Sequence, residues 1–592
     1  MCGIVGFTGK LDAKEIVLNG LKKLEYRGYD SAGMSLFNIY DSRFDVFKET
    51  GRVTSLVQKT LNTRLSNCGI GHTRWATHGK VTRENAHPHV SSSGRFIIVH
   101  NGVIENSEEL YKQYLPDYHL KSETDTEIVA HLIEIFSKQL AVDNAIVTTL
   151  KLLKGSYALL VVDNENPEII YAAKNRSPLL IGTSHDGTTI ASDVLALNGY
   201  SDNYVPMKDH TFAICSPEKV SFFNFELERL KIEYLEVDDN FEDAELGVFD
   251  HYMLKEIYEQ PKIIKRLIEN YIYDDEINID EKIINDINES DRIYILAAGT
   301  SMHAGLIGKR MLEILSNKFV EVHIASEFAY EKPKLSKKPY FIMITQSGET
   351  ADLRACLKSI EHLDRPILTV TNVVTSTLAR ESSYFLNVFA GPEIAVASTK
   401  AYAAQICLLF LLASKISNDK IDTENELVRL SDSVSEFIQS TDMRKIAASY
   451  LHKRNCFLIG RGIAYDLAQE AALKIKEVTY IQTEGFASGE LKHGTIALIE
   501  EETPVFAFII EKSKDNLTRS NLKEVEARGA RTQVFTLNSL KRNDDIAMKD
   551  VHFLLAPVAL VVPAQLLSYY AALERGFDID KPRNLAKSVT VE

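Results

Sequence analysis

The sequence predicts a multidomain chain in two styles, an α+β domain up to residue 235 and then a doubled α/β unit with parallel sheets. Three observations carry this. The chain has 592 residues, several times what one hydrophobic core sustains, so three or four domains are expected. Its first part consists of short β-rich runs set between Gly, Asn and Ser clusters. The remainder alternates apolar β-runs, Gly-containing turns and long helical stretches, as a parallel sheet with crossover helices requires.

Taken in order, residues 4–7, 96–99 and 157–162 read as strands, and residues 126–140 as one of the few helices among them. That pattern fits layered sheet and helix in one domain. An acidic stretch, 236–245, precedes a helix-like segment, 251–259, expected to end at Pro261, and the linker is placed there. Beyond residue 285 a repeat emerges. Residues 293–298 followed by Gly299 correspond to 456–459 followed by Gly460, Arg461 and Gly462, each turn leading into a helix. Further apolar runs correspond as well, 340–344 with 505–510 and 366–371 with 532–537. Tandem modules are the simplest account, although any α/β chain shows some such alternation. The expected boundaries are 1–235, a connection over 236–284, modules at 285–424 and 425–582, and a tail at 583–592.

Apolar residues make up 45% and charged residues 25% of the chain, the mixture of a packed globular protein. A formal charge of −15 argues against a nucleic-acid partner, so an anionic ligand has to be held by local design. Six cysteines (Cys2, Cys68, Cys215, Cys356, Cys407, Cys456) form no CxxC pair, which fits the reducing cytoplasm. No basic start leads into an apolar run, and the most apolar stretches are interrupted by Gln405 in one and by Pro557 and Pro563 in the other. No membrane span is expected.

The chain begins Met1-Cys2-Gly3-Ile4, and a small second residue permits removal of Met1. Cys2 would then carry a free α-amine, a base of pKa roughly 7.7–8.0 suited to taking the thiol proton. On its own, however, Cys2 reads better as a small buried residue opening a strand. Five further segments follow in order: 26–33 (YRGYDSAG), 72–79 (HTRWATHG), 85–89 (NAHPH), 100–102 (HNG) and 122–127 (SETDTE). Together they resemble the glutaminase domain of the N-terminal-nucleophile amidotransferases. The resemblance implies a layered αββα domain with Cys2 as nucleophile. It implies that Arg74 binds the α-carboxylate of glutamine and Asp125 its α-ammonium, that Thr77, His78 and His87 complete the glutamine site, and that Asn101 and the Gly102 N–H form an oxyanion hole. The chemistry agrees, because a guanidinium matches a carboxylate and fixed donors stabilise developing charge. Trp75, the single tryptophan, reads as a core aromatic on its own and, by the resemblance, as the gate of an ammonia passage. His72, His78, His87, His89 and His100 lack the spacing and thiolates of a zinc site, so no metal is expected.

In the second half, residues 342–350 (IMITQSGET) form an apolar strand entering a hydroxyl-rich turn, with a helix expected from near Ala351. Such a turn aims hydroxyls and helix N-terminal N–H groups at one anion, as does Gly299-Thr300-Ser301. Neither is a nucleotide loop, since both the P-loop lysine and the GxGxxG pattern are missing. Hydroxyl-rich turns also serve as helix caps, and the residues alone leave the two readings equal. Lys474 and Glu477, three apart on the helix expected over 466–480, read by themselves as a solvated bridge.

Thr300-Ser301, the run 345–350, 391–400 (GPEIAVASTK) and the end 581–592 (KPRNLAKSVTVE) resemble the sugar-isomerase (SIS) modules and tail of the glucosamine-6-phosphate synthase family, although Thr345 stands where many relatives have serine. By that resemblance Thr300, Ser301, Thr345, Gln346, Ser347, Thr350, Val396 and Ala586 hold fructose 6-phosphate. Lys587 forms a Schiff base with the ketose, His493 assists ring opening, Glu477 shuttles a proton between C1 and C2, Lys474 assists the acid/base steps, and the tail closes over both sites. The corresponding turn of the second module, 511–515 (EKSKD), has lost its hydroxyl cluster, so one sugar phosphate per chain is expected. The resemblance implies glutamine and fructose 6-phosphate as substrates, no cofactor, and a homodimer. The phosphoribosyl-pyrophosphate and ATP loops of other amidotransferases are missing, and retention of Cys2, Glu477, His493 and Lys587 together disfavours a non-catalytic sugar-phosphate sensor.

Overall fold

The computed structural model describes residues 2–236, 245–417, 421–450, 452–544 and 546–590. Met1, residues 237–244 of the expected linker, and Val591 and Glu592 lie outside the described residues. The chain divides into two compact units, one formed by residues up to 236 with 588–590, the other running from 245 to 587.

The first unit is built on an eight-stranded and a six-stranded sheet. Side chains alternate across each strand, so adjacent residues serve different layers. Ile4, Ile70, Val99, Leu160 and Ile190 fill the space between the sheets. Val5, Phe7 and Met34 pack outward against Ile16, Val17 and Leu21 of the helix Ala13–Leu24. On the other side Ile98, Leu159 and Val161 meet Ile128, Leu132 and Ile133 of the helix Asp125–Ser137. Each such side chain contributes about 1.5–3 kcal/mol by burial, and the result is the expected αββα layering. Strand Cys68–Arg74 pairs antiparallel with both Gly3–Gly9 and Ser31–Asn38, with Gly3 opposite Thr73 and Ser31 opposite Arg74. That register delivers Arg74 and Trp75 to Cys2.

The second unit contains two five-stranded sheets. The strands of the first are Arg292–Ala297, Val320–Ile324, Pro339–Thr345, Ile367–Thr371 and Tyr384–Asn387. Those of the second are Asn455–Gly460, Gln482–Ala487, Pro504–Ile509, Arg531–Leu537 and Ile546–Met548. Both follow the spatial order second, first, third, fourth, fifth, and every pairing is parallel. The repeat is therefore one of topology. The modules share one apolar core, to which Ile307, Leu408, Ile475 and Val561 contribute from four helices.

The helix-like segment 251–259 is found as the helix Tyr252–Tyr258, which stops before Pro261, and Pro261 goes on to open the helix Gln260–Tyr271 in the first turn, where its missing N–H costs nothing. Pro557 likewise occupies a first turn, and Pro563 lies inside the unbroken helix Ala556–Glu574. That helix is long and apolar enough to cross a membrane, but 89% of the apolar window is buried within the protein. Packing on all sides offsets the bond Pro563 cannot make. Gln405 similarly sits inside the helix Lys400–Ile416 and donates to Ser301 Oγ at 3.0 Å.

The helix Tyr252–Tyr258 is fastened at two points. Tyr252 and Met253 N–H donate to the Asp580 carboxylate at 2.9 and 2.8 Å, and Ile394 and Ala395 N–H donate to Glu256 Oε1 at 2.5 and 3.1 Å. Glu256 is 1% exposed, and its other oxygen has no partner among the described residues. Burial, reinforced by the charge of Glu393, pushes its pKa from 4.5 to about 8. Over that interval the unfolded chain has released a proton that the folded chain retains, so this group costs stability as pH rises from 4.5 towards 8. Glu256→Gln keeps the acceptor oxygen and removes the titration. The thermal midpoint of the variant is expected to gain on the parent steadily between about pH 5 and pH 8, by up to about 1.4 kcal/mol per pH unit in stability. A constant difference across a buffered melting series would contradict this.

Candidate functional site

In the first unit the Cys2 thiol lies against the Trp75 backbone. Trp75 N–H donates to Sγ at 3.3 Å, and the thiol donates to Trp75 O at 3.5 Å. Burial pushes the thiol pKa up, while the Trp75 N–H and the Arg74 charge oppose it. Asn101 Nδ2 donates to Cys2 O at 3.1 Å. Gly102, next along the strand, has φ +135°, and a Cβ there would fall 2.0 Å from Ser156 O, so only glycine fits. The two proposed oxyanion donors thus sit on the strand that faces Cys2.

Arg74 points its guanidinium at the loop that follows, donating to the carbonyls of His78, Gly79 and Lys80. Glu123 and Asp30 pin this loop, accepting from Lys80 N and Ala76 N at 3.0 and 2.9 Å. Thr77 and His78 are exposed on it. Asp125 opens its helix and accepts Ile104 N–H at 2.7 Å, which ties it to the Asn101 strand. Trp75 packs edge-on against Tyr29 with ring centroids 5.4 Å apart.

The histidines are spent on architecture. His87 is buried and stacked on His72 at 4.0 Å, and its Nδ1 accepts His100 N–H at 3.2 Å, so its ring is already committed to the interior. His72 Nε2 donates to His100 O at 2.9 Å, and His89 Nε2 meets Thr124 Oγ1 at 3.1 Å. Burial lowers His72 to about 3 and His87 and His89 well below the ordinary imidazole value, leaving these rings neutral.

In the second unit the turns Gly299–Ser301 and 345–350 are neighbours, because their parent strands pair in parallel with Ala297 opposite Ile344. This edge, where the order of strands reverses, is where open parallel sheets bind ligands. Thr345 Oγ1 accepts Gly348 N–H at 3.1 Å and meets Thr350 Oγ1 at 3.0 Å, while Ser347 Oγ accepts Glu349 N–H at 3.2 Å. Gly348, at φ +66°, passes so close to Ser376 that a Cβ would lie 1.8 Å from its Oγ. Gln346 follows Thr345 in this turn, its carbonyl accepting Asn372 N–H at 3.3 Å. The hydroxyls are thereby held at the mouth of the helix Ala351–Ile360.

Thr300 links this turn to the helix Ile463–Thr479 of the second module. Lys474 Nζ donates to Thr300 Oγ1 at 2.9 Å and pairs with Glu477 at 2.6 Å and Glu470 at 3.4 Å. Lys474 and Glu470 are fully buried, so this is no solvated surface bridge. Burial acts to lower the Lys474 pKa, but Glu470 and Glu477 overcome it and the net direction is up. Glu470 also takes Thr300 Oγ1–H at 3.1 Å and His303 Nδ1 at 2.7 Å. Lys587 Nζ meets Glu393 Oε2 at 2.5 Å, with both side chains buried. Val396 N–H donates to Asp580 O at 2.9 Å, which fixes the Glu393 loop beside the segment leading to Ala586.

His493 is exposed, and among the described residues it shares no hydrogen bond or ion pair with these groups. Sequence reasoning missed Glu470, His303 and Glu256. Glu470 had a signal, lying one turn before Lys474 on the same helix face; His303 had none. In the second module the Lys514 ammonium, paired with Glu511, lies 2.6 Å from where a Cβ of Gly462 would be, so that turn is filled by its own side chains.

Comparison with known proteins accounts for both units. Residues 72–199 match the glutamine amidotransferase domain family, and residues 286–415 and 449–575 each match the SIS domain family. A solved C-terminal domain of glucosamine-fructose-6-phosphate aminotransferase from Francisella tularensis superposes with a TM-score of 0.53 at 33% identity, covering 57% of this chain and 100% of its own. Curated glutamine–fructose-6-phosphate aminotransferases (isomerising) from Listeria monocytogenes and Bacillus licheniformis are 49% and 50% identical, each alignment covering 100% of both chains. With that identity sustained along its whole length, the chain is an enzyme that belongs to the glutamine–fructose-6-phosphate aminotransferase (isomerising) family.

Proposed function

We propose that the enzyme converts L-glutamine and D-fructose 6-phosphate to L-glutamate and D-glucosamine 6-phosphate, the entry to UDP-GlcNAc synthesis. The observation that carries this reading is the presence in one chain of two sets of groups, the Cys2 thiol flanked by Asn101, Gly102 and Arg74, and the ion pairs Lys474–Glu477 and Lys587–Glu393, with Lys474 also bound to Thr300 of a hydroxyl-rich turn.

At the first site Arg74 and Asp125 hold the α-carboxylate and α-ammonium of glutamine, with Thr77 and His78 around it and the buried His87 supporting the strand of Asn101 through its bond from His100 N–H. Once Met1 is removed, the Cys2 α-amine takes the thiol proton and sulfur attacks the carboxamide carbon. Asn101 Nδ2 and Gly102 N–H stabilise the oxyanion; ammonia leaves, and water hydrolyses the glutamyl thioester. At the second site Thr300, Ser301, Thr345, Gln346, Ser347 and Thr350 bind the phosphate and sugar hydroxyls, with Val396 and Ala586 lining the sugar. His493 assists ring opening, Lys587 condenses with C2, ammonia replaces it, and Glu477, supported by Lys474, moves a proton from C1 to C2. Ammonia loose in neutral water would mostly protonate and lose its lone pair, so it travels an enclosed passage gated by Trp75.

Mixing the enzyme with both substrates is expected to yield an amino sugar phosphate. Intact binding without product would favour a sugar-phosphate sensor instead. Cys2→Ala, or an N-terminal extension that cannot be processed, should reduce glutamine-dependent synthesis by roughly 10³-fold or more while fructose 6-phosphate isomerisation persists, both read by coupled assay. Trp75→Ala should form glutamate in excess of glucosamine 6-phosphate; a ratio still at one would remove the gating role.

A further inference from the structure

Lys587 ends its side chain in a pocket of buried charge, and the charges around it are sorted by partner. Lys400 pairs with Glu259 at 2.6 Å, and Glu259 also holds Lys255 at 2.7 Å. Lys474, close enough to feel Glu393, is neutralised by Glu470 and Glu477. Glu256 faces Glu393 and Lys587 but is held as the neutral acid. Glu393 remains as the anion that meets Lys587, at 2.5 Å. It is held as a carboxylate, at about 2, because Lys587 and the donors Ala401 N–H, Thr399 N–H and Ser398 Oγ outweigh the effect of burial.

We propose that Glu393 is the resident counter-ion of Lys587, balancing its ammonium before the sugar enters and its iminium afterwards. This rests on the reading of Lys587 as the Schiff-base lysine. The ammonium passes one proton to the carbonyl oxygen of the open-chain ketose, which frees the nitrogen lone pair to bond to C2 while Glu393 stays ionised. The same oxygen collects a second proton from nitrogen, the C–O bond breaks, and water leaves. Nitrogen keeps one proton and the positive charge. An ammonium and a carbonyl have become an iminium and water, with the same single charge beside Glu393 throughout. Burying that charge is tolerable only while the anion stays. Glu393 acts through Lys587 and is a positioning residue.

A purely architectural role is the alternative, since Glu393 Oε1 accepts Thr399 and Ala401 N–H at the start of the helix Lys400–Ile416. Glu393→Gln retains an oxygen for those donors and loses the anion. The full-length enzyme with fructose 6-phosphate is treated with borohydride over a pH series, and the Lys587 adduct is quantified by peptide mass. The parent is expected to trap well at neutral pH. E393Q should trap roughly tenfold less there, and the pH above which trapping fails should fall by about one unit or more, as loss of a close opposite charge dictates. Glu393→Asp, which keeps the anion, should retain the parental pH limit even if its yield drops. Glutamine hydrolysis, a reaction of the other unit, should be unchanged in both variants. Parental yield and pH limit in E393Q, or a limit in E393D displaced as far as in E393Q, would overturn the proposal. No adduct at Lys587 in the parent enzyme would overturn the Schiff-base reading, and this one with it.

Discussion

Burying ionised side chains at the edge of two parallel sheets is the constraint around which the second unit is arranged. An unpaired charge of this kind would cost several kcal/mol, and removing one partner of a buried pair leaves that cost exposed. Lys474 is therefore clasped by Glu470 and Glu477, Lys587 by Glu393, and Lys400 by Glu259. These pairs join distant parts of the sequence. Thr300 of the first module binds Lys474 and Glu470 of the second, and Lys587 near the chain end reaches Glu393 194 positions earlier. The site is assembled by the same contacts that neutralise it.

A net charge of −15 sharpens this point. Attraction for a carboxylate or a phosphate cannot come from the overall field, so it has to come from oriented N–H groups, hydroxyls and a few shielded cations. The 345–350 turn gathers N–H groups and hydroxyls without a lysine, and Arg74 lies against a loop pinned by acids. The duplicated module shows the converse. Its turn keeps the strand order and the helix that follows, but Lys514 and Glu511 occupy the space themselves.

Much of the fold was legible because strands buried on both faces read as uninterrupted apolar runs, as with Pro339–Thr345 and Pro504–Ile509. The prolines take their meaning from what surrounds them. Pro261 and Pro557 sit in first turns where proline is welcome, and Pro563 survives inside a helix because everything around it is packed. Residue types at the site were also legible, since a turn rich in hydroxyls and a Lys and Glu three apart can be seen in one dimension. Their state was not. Whether Lys474 and Glu477 form a solvated bridge or a buried pair depends on what lies across the helix, and that partner comes from 174 residues away. For His87 the ring stack with His72 was invisible in the spacing, and the pairing of strands supplies it.

The distribution of sulfur has a practical consequence. Cys68, Cys215, Cys356, Cys407 and Cys456 are buried, and of these burial raises Cys68, Cys215, Cys407 and Cys456 far above the range in which a thiolate forms. Cys2 alone among the six is partly open to solvent. To an alkylating reagent the folded chain therefore presents one partly exposed sulfur, so the stoichiometry of labelling counts the chains in which Cys2 is accessible.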